Sequence, residues 1–173
     1  MEPSLDRYMS SSDMATVMTR MEVAMVRTIQ GFGRWTATLN KTVSGAPLSP
    51  EEVWLLHAIR MRGGPQNLSE LLLFLNRNDV STIQYSLRKI EQHGLIERVT
   101  GNSKREAGYR LTEKGMAATS DYAALREEML VKLLERMRIQ IETLENTAVA
   151  LEQMTGVYDQ ITQLVLNRKI MGL

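Results

Sequence analysis

The chain has 173 residues, a formal net charge of +1 and no cysteine, with 43% hydrophobic and 24% charged residues. These values are typical of a soluble globular protein and fit one domain, or a small head on a helical scaffold. Without cysteine, disulfides, thiolate metal ligands and a cysteine nucleophile are excluded. The sequence has neither an apolar run of transmembrane length nor a signal-peptide pattern, which predicts a cytoplasmic protein that does not enter a membrane.

Charge is unevenly distributed along the chain. From Ser81 to Thr112 there are six basic and three acidic residues, whereas from Met116 to Leu173 eight acidic residues outnumber six basic ones. A basic middle followed by an acidic end favours a DNA-facing head on a scaffold that faces away from DNA. An ordinary solvated surface could give the same counts, so the sequence motifs are needed to distinguish DNA binding from an ordinary surface.

An apolar stripe predicts a long first helix over residues 13–43. Its members recur every three or four residues: Met14, Met18, Met21, Met25, Phe32, Trp35 and Leu39. Such a stripe is long enough to pack against a partner helix. Gly31 and Gly33 each weaken the helix by about 1 kcal/mol relative to alanine, which favours a bend there. Residues 44–47 end the helix.

A capping box and a second start signal predict the next two helices. In the capping box, Ser49 caps, Pro50 takes the first helical position and Glu52 closes the box. Residues 63–65, with two glycines and a proline, stop that helix. The second start lies at residues 67–70 and leads into a short apolar helix that ends at a polar turn over 76–79.

A third helix and a hairpin follow. The helix is predicted over 80–93, and strands are predicted over 95–100 and 109–111. The polar loop between the strands carries Lys104 and Arg105, and Thr112 caps the helix after the hairpin. This is the order of elements in a winged helix-turn-helix: helix, short helix, turn, helix, strand, charged loop and strand.

The third helix of this set has the chemistry of a DNA-reading helix. On a helical wheel one face buries Val80, Ile83, Leu87 and Ile90. The candidate DNA-binding residues share the other side and are Ser81, Thr82, Gln84, Tyr85, Arg88 and Lys89. Hydroxyl, amide and cationic groups of this kind bind base edges and phosphates. A solvated helix could look the same, but the adjacent wing favours DNA, because arginine suits a narrow minor groove.

The remainder of the chain is predicted to be helical and to associate with another helix. No proline occurs from Glu113 to Leu173. The apolar stripe there consists of Leu130, Leu134, Met137, Ile141, Leu144, Ala148, Leu151, Tyr158 and Val165. A head of this size cannot cover so long a stripe, so it indicates helix-on-helix packing between subunits.

The motifs from Ser81 through Arg98, then Lys104-Arg105 and residues 110–115, resemble the MarR family of transcriptional regulators and, within it, the LdtR-like branch. The resemblance covers residues 49–115 well and the flanking helices in layout only. It implies a mainly α fold with a small β-hairpin wing, a winged helix-turn-helix over 49–115, and dimerisation helices over 1–48 and 116–173. It further implies a homodimer, a repressor that binds pseudo-palindromic duplex DNA, and a small aromatic or hydrophobic ligand that lowers DNA affinity.

One position of the wing departs from the family pattern. Ser103 stands where the family usually has an aspartate that orients the wing arginine. The candidate wing contacts are Ser103, Lys104 and Arg105. Without the aspartate, the Arg105 side chain is less firmly oriented toward DNA. The recognition helix is unaffected by this departure.

The resemblance also implies an effector pocket where the dimer helices meet the head. The residues at the matching places are Phe32, Trp35, Leu39, Trp54, His57, Ala58, Met61, Phe74 and Leu87. These aromatic and sulfur-containing side chains could form an adaptable apolar cavity. The alternative is that they form dimer core. On the pocket hypothesis, Trp35→Ala weakens the ligand response more than DNA binding.

Two other function classes were weighed against a regulator. An enzyme is disfavoured, because the chain has only two histidines, His57 and His93, and neither a nucleophile elbow nor a phosphate loop. No cofactor or metal is predicted. A winged helix serving as a protein-interaction or scaffold module is the closer alternative. Binding to duplex DNA with a steep salt dependence distinguishes the regulator from the scaffold.

Overall fold

The computed structural model describes residues 12–100 and 107–170 and is mainly helical with one small β-hairpin, as predicted. In chain order the elements are α1 Asp13–Ser44, α2 Pro50–Arg62, α3 Leu68–Phe74, α4 Val80–Gln92, β1 Ile96–Val99, β2 Gly108–Leu111, α5 Glu113–Arg126, a π-helical segment Glu127–Val131, α6 Lys132–Arg136 and α7 Ile141–Ile170. The chain divides into two compact units, residues 1–125 and 126–173. Within the described residues, no helix combines the length and the apolar character needed to cross a membrane.

Local capping signals fix the helix ends in the first unit. The Ser12 side chain accepts from the Ala15 N–H at 3.2 Å, and α1 ends at Gly45 with a left-handed φ of 68°. The capping box predicted at Ser49 is confirmed, and the helix start predicted at Asn67 carries a second box. In the first, the Ser49 N–H donates to a Glu52 carboxylate oxygen at 2.7 Å, while the Glu52 N–H donates to the Ser49 hydroxyl at 3.3 Å. Reciprocal bonds of this kind satisfy backbone N–H groups that the first helical turn leaves unpaired.

The core of the first unit is built mainly by α2 and α4. The fully buried large side chains are Val53, Leu55, Leu56, Ile59, Leu71, Leu87, Ile90, Leu95 and Ile96, together with the polar Thr36 and Asn40 of α1. Three of the four residues predicted for the inner face of α4 are buried. Val80 is the exception, because it lies in the first turn of α4 and is 44% exposed.

The hairpin is held to the helices by backbone contacts. β1 and β2 are antiparallel, with Ile96 opposite Leu111, and Gln66 adds a further rung by exchanging two hydrogen bonds with Tyr109 at 2.8 and 2.9 Å. Gly115 approaches the backbone so closely that a Cβ there would lie 1.9 Å from the Leu95 carbonyl oxygen. The residue therefore has to be glycine for α5 to begin where it does.

Thr112 connects the hairpin to α5. Its hydroxyl accepts from the Gly115 N–H at 3.0 Å and donates to the Gly94 carbonyl at 2.7 Å. The predicted cap is therefore confirmed. The same hydroxyl also connects the start of α5 to Gly94, two residues beyond the end of α4.

The second unit consists of helices with exposed apolar side chains. The π-helical segment and α6 are followed by a break over 137–140, where Arg138 has a φ of 56°. The predicted stripe crosses this break between Met137 and Ile141. Among the side chains described from 126 to 168, none is buried. The apolar face of α7 is therefore left uncovered by its own unit.

Candidate nucleic-acid interface and effector cavity

An ion pair occupies the turn that leads into α4. Arg77 Nε donates to Asp79 Oδ1 at 2.7 Å, and a second contact joins Arg77 Nη2 to Asp79 Oδ2. The hydrogen bond from Arg77 holds the pKa of the Asp79 carboxyl at about 2, below its ordinary value of 3.8. The same bond raises the pKa of the Arg77 guanidinium. The pair fixes the turn from which α4 begins.

The two sides of α4 have different chemistry. Its inner side is buried through Ile83, Ser86, Leu87 and Ile90. Five of the six predicted DNA-binding residues of this helix are exposed: Ser81, Thr82, Gln84, Tyr85 and Arg88. This exposed polar face, named here the reading face, combines hydroxyl, amide and guanidinium groups. Such groups can donate to guanine, bind adenine through an amide, or pair with phosphate.

Lys89, the sixth predicted residue, is placed differently from the other five. Its ammonium lies 2.8 Å from Glu52 Oε2, and its side chain is 32% exposed. Glu52 is buried, with a side chain only 5% exposed. The ammonium of Lys89 therefore already has a buried counter-charge, and its part in DNA binding stays a prediction.

The tip of the wing lies outside the described residues. Ser103, Lys104 and Arg105 all belong to it, and their part in DNA binding stays a prediction. Of the described hairpin cations, Arg110 pairs with Glu97 at 2.7 Å, and both side chains are close to half exposed. Arg98 is exposed on β1.

An aromatic cluster joins α1, α2 and α5. Phe32 stacks on Trp54 with ring centroids 5.5 Å apart and an interplanar angle of 7°. Trp35 meets the edge of Tyr122 at 5.8 Å, and His57 meets the same ring at 4.2 Å. Phe32 and Trp35 are also stacked, with centroids 6.2 Å apart. Four of the nine predicted pocket residues thus come together in one cluster, and two of them contact Tyr122, which sequence reasoning missed.

A cavity of about 540 Å³ lies between α1 and the first turns of α2, beside this cluster. Its lining residues are Ile29, Gln30, Gly33, Arg34, Ala37, Thr38, Pro50, Glu51 and Trp54. Volumes between about 300 and 1,000 Å³ are usual for small-molecule sites. The Trp54 indole N–H is buried and has no hydrogen-bond acceptor among the described residues. The cavity therefore combines apolar walls with one guanidinium and one carboxylate.

The other predicted pocket residues lie elsewhere. Leu39, Ala58 and Leu87 are buried in the core of the first unit. Met61 is 68% exposed, and Phe74 is 43% exposed with the Arg62 guanidinium 5.8 Å from its ring centre. The prediction of one pocket built from all nine residues does not match this placement. The resemblance to the family grouped them by position in the chain, which does not tell which side of each helix is covered.

Comparison with known proteins gives a family model and several solved structures. The model of a winged helix DNA-binding domain matches residues 48–115. Staphylococcus aureus MarR in complex with salicylate and kanamycin is similar, with a TM-score of 0.65, 13% identity, and coverage of 83% of this chain and 93% of that one. The chain has the MarR-family fold. Among curated proteins the sequence has no significant match.

Two further structures share the MarR-family fold. The Staphylococcus aureus MepR–DNA complex has a TM-score of 0.58 and 18% identity over 78% of this chain and 94% of that one. A MarR family transcriptional regulator from Silicibacter pomeroyi has a TM-score of 0.57 and 17% identity over 78% and 86% of the two chains. These similarities concern the fold. They do not single out the LdtR-like branch of the MarR family.

Proposed function

We propose that this chain is a ligand-responsive repressor that binds a pseudo-palindromic duplex operator as a homodimer. The observation that carries the proposal is the reading face of α4, which is exposed within a matched winged helix domain. A face of this kind fits a major groove, where each base pair presents its own pattern of donors and acceptors. The solved MepR–DNA complex supports the same use of the fold.

The homodimer is supported by the uncovered apolar faces. α7 exposes, among others, Ile141, Leu144, Leu151, Ile161 and Val165, each at least 41% accessible. The first half of α1 also exposes apolar side chains, which include Met14, Val17, Val23 and Val26. Faces of this extent are usually interfaces. We assign residues 1–48 and 116–173 to dimerisation and residues 49–115 to DNA binding, so that two copies of α4 address the two halves of one operator.

Binding to duplex DNA from the region flanking its own gene tests the regulator directly. We expect affinity to fall steeply with salt, because each phosphate contact contributes about 0.9 to the slope of log K against log salt. Arg88→Ala should weaken operator binding by about tenfold or more, as expected for a lost base or phosphate contact. Arg27→Ala removes an equally exposed arginine from α1 and should leave binding unchanged.

Two outcomes would contradict the regulator. One is failure to bind any duplex in dilute buffer. The other is equal affinity of the Arg88→Ala and Arg27→Ala proteins for the operator. Either result, in a chain that still folds, would instead favour a winged helix used as a protein-interaction module.

The effector site is assigned to the cavity between α1 and α2. The cavity has the volume, the apolar walls and, at Arg34, the guanidinium that a small planar acid needs. The similar Staphylococcus aureus MarR holds salicylate. To release operator, the effector must bind the DNA-incompetent arrangement of the dimer more tightly than the competent one.

Two threonines of α1 give a matched test of this assignment. Thr38 lines the cavity and Thr42, one turn later, does not; both are exposed and donate to the carbonyl four residues back. Thr38→Phe should fill the cavity and raise the salicylate concentration needed to release operator by about tenfold or more. Thr42→Phe should respond as the parent does. Equal responses of the two variants would place the effector elsewhere.

A further inference from the structure

The ion pair between Lys89 and Glu52 joins the reading helix to the first turn of α2. The two residues are 37 positions apart in the chain, and their charged groups are 2.8 Å apart. The same carboxylate oxygen, Glu52 Oε2, accepts the Ser49 N–H at 2.7 Å. One buried oxygen therefore both caps α2 and holds α4.

This arrangement makes Lys89 a poor candidate for a phosphate contact. If the ammonium moved to a phosphate, the buried Glu52 carboxylate would lose its counter-charge, and an unpaired buried charge is strongly destabilising. Arg88, the neighbouring cation, is exposed and forms no salt bridge with a buried carboxylate among the described residues. The pair instead restrains the second half of α4, beyond the exposed Gln84 and Tyr85, against α2.

The same first turn of α2 forms a wall of the proposed effector cavity. Pro50 and Glu51 line that cavity, and Glu52 follows them directly. Pro50 also lies against α1, because a Cβ on Gly33 would be 3.2 Å from Pro50 Cγ. A ligand that displaces this turn therefore displaces the carboxylate to which α4 is attached.

We propose that Lys89 is a positioning residue, which through Glu52 sets the orientation of the reading face and links it to the cavity wall. The proposal rests on the proposed function. It assigns Lys89 to operator discrimination and to the effector response, and removes it from the phosphate contacts. Apolar packing between α2 and α4 holds the helices together, while the pair selects one orientation of α4.

Salt dependence separates a positioning residue from a phosphate contact. Lys89→Met keeps the apolar stem and removes the charge. We expect operator affinity to fall by about tenfold while the slope of log K against log salt stays within about 0.3 of the parent value, because no phosphate contact is lost. Affinity for a scrambled duplex should stay unchanged. Lys89→Arg keeps a cation within reach of Glu52 and should restore operator affinity.

Glu52→Gln provides a second route to the same result. The amide oxygen can still accept the Ser49 N–H, so the cap survives while the charge pair is lost. Operator affinity should fall as in Lys89→Met, and the double variant should fall no further, because both changes break one interaction. Salicylate should shift the operator affinity of each variant less than that of the parent. Urea unfolding identifies any variant that has lost its fold.

Three results would overturn the proposal. In Lys89→Met, the slope of log K against log salt could fall by about 0.9 while affinity for the scrambled duplex falls in parallel. The losses of operator affinity could be additive in the double variant, or the salicylate response of Lys89→Met could equal that of the parent. Failure of the proposed function would look different, because the parent protein itself would then show no operator binding.

Discussion

Residues 12–125 and residues 126–168 are both rich in apolar side chains, but only the first unit buries them. In the first unit Leu55, Leu56, Leu87 and Leu95 are fully buried. In the second unit none of the described side chains is buried, and Ile141 is 75% exposed. The same residue types thus serve an internal core in one region and an open face in the other.

This difference indicates where each unit obtains its stability. Burial of apolar surface contributes about 25 cal/mol per Å², so the first unit has a driving force of its own. An isolated helix has little, because helix propensity alone rarely suffices in water. We therefore expect the second unit to need a helix partner. A second copy of this chain carries the same unpaired face, which is the basis for a symmetric association.

Aspartate substitutions on the apolar face of α7 should have the largest effect on operator affinity. Leu144 and Leu151 lie seven residues apart on one side of that helix. Leu144→Asp with Leu151→Asp should convert the dimer to a monomer, and operator affinity should fall by about 100-fold or more, because the second head loses the effective concentration that linkage provides. Light scattering and fluorescence anisotropy measure the two changes.

The control for this variant lies on the same helix. Asn146→Asp with Gln153→Asp places the same two charges two positions further on, about 200° around the helix. This control should remain dimeric and bind operator as the parent does. A dimer that survives charging of Leu144 and Leu151 would show that α7 is not the interface.

Gly115→Ala tests the packed unit instead. The added Cβ would lie 1.9 Å from the Leu95 carbonyl oxygen, so α5 or the hairpin must shift. We expect the free energy of unfolding to fall by about 3 kcal/mol, the upper part of the usual range for overpacking. Gly31→Ala is the control, since its nearest neighbour would be Arg34 Nη2 at 4.0 Å. It should stabilise α1 by up to about 1 kcal/mol.

Urea unfolding distinguishes these two glycine variants. Equal midpoints for Gly115→Ala and Gly31→Ala would mean that the contact between α5 and Leu95 is looser than the structure has it. A loss confined to Gly115→Ala would confirm that the first unit is closely packed at the start of α5.

Signals confined to a few residues predicted most of the fold. The Ser49 and Asn67 capping boxes, the cap at Thr112 and the left-handed Gly45 all act within one helical turn, so the sequence around each one carries the whole interaction. The exposed side of α4 was predictable for a similar reason, because helical periodicity alone separates Arg88 from Leu87.

Contacts between distant segments were not predictable in this way. Nothing near Lys89 indicates that Glu52 will neutralise it, and nothing near His57 indicates Tyr122. Gly33 was interpreted as a weak point of α1, whereas the structure makes it the place where Pro50 approaches. No proline or glycine in the sequence marks the helix break at Arg138. Such features depend on which helix faces meet, and periodicity does not encode that.

The smallest expected effect concerns Asp79 at the start of α4. Its pKa in the folded protein is about 2, below the ordinary 3.8. Stability from the Arg77 pair is therefore fully present above the ordinary value and is lost as the pH falls through the folded one. Arg77→Met removes the guanidinium, so the pKa of Asp79 should rise toward 3.8, which a carbon-13 NMR titration of the carboxyl would show.

The same variant separates a local from a global role for this pair. Because both side chains are about one-third exposed, solvent screens the interaction, and the urea midpoint should change less than in Gly115→Ala. Asp79 stays ionised in both proteins near neutral pH, so any difference between them should not vary between about pH 6 and pH 8. A pH-dependent difference in that window would show that the effect of Arg77→Met does not come from the Asp79 carboxyl.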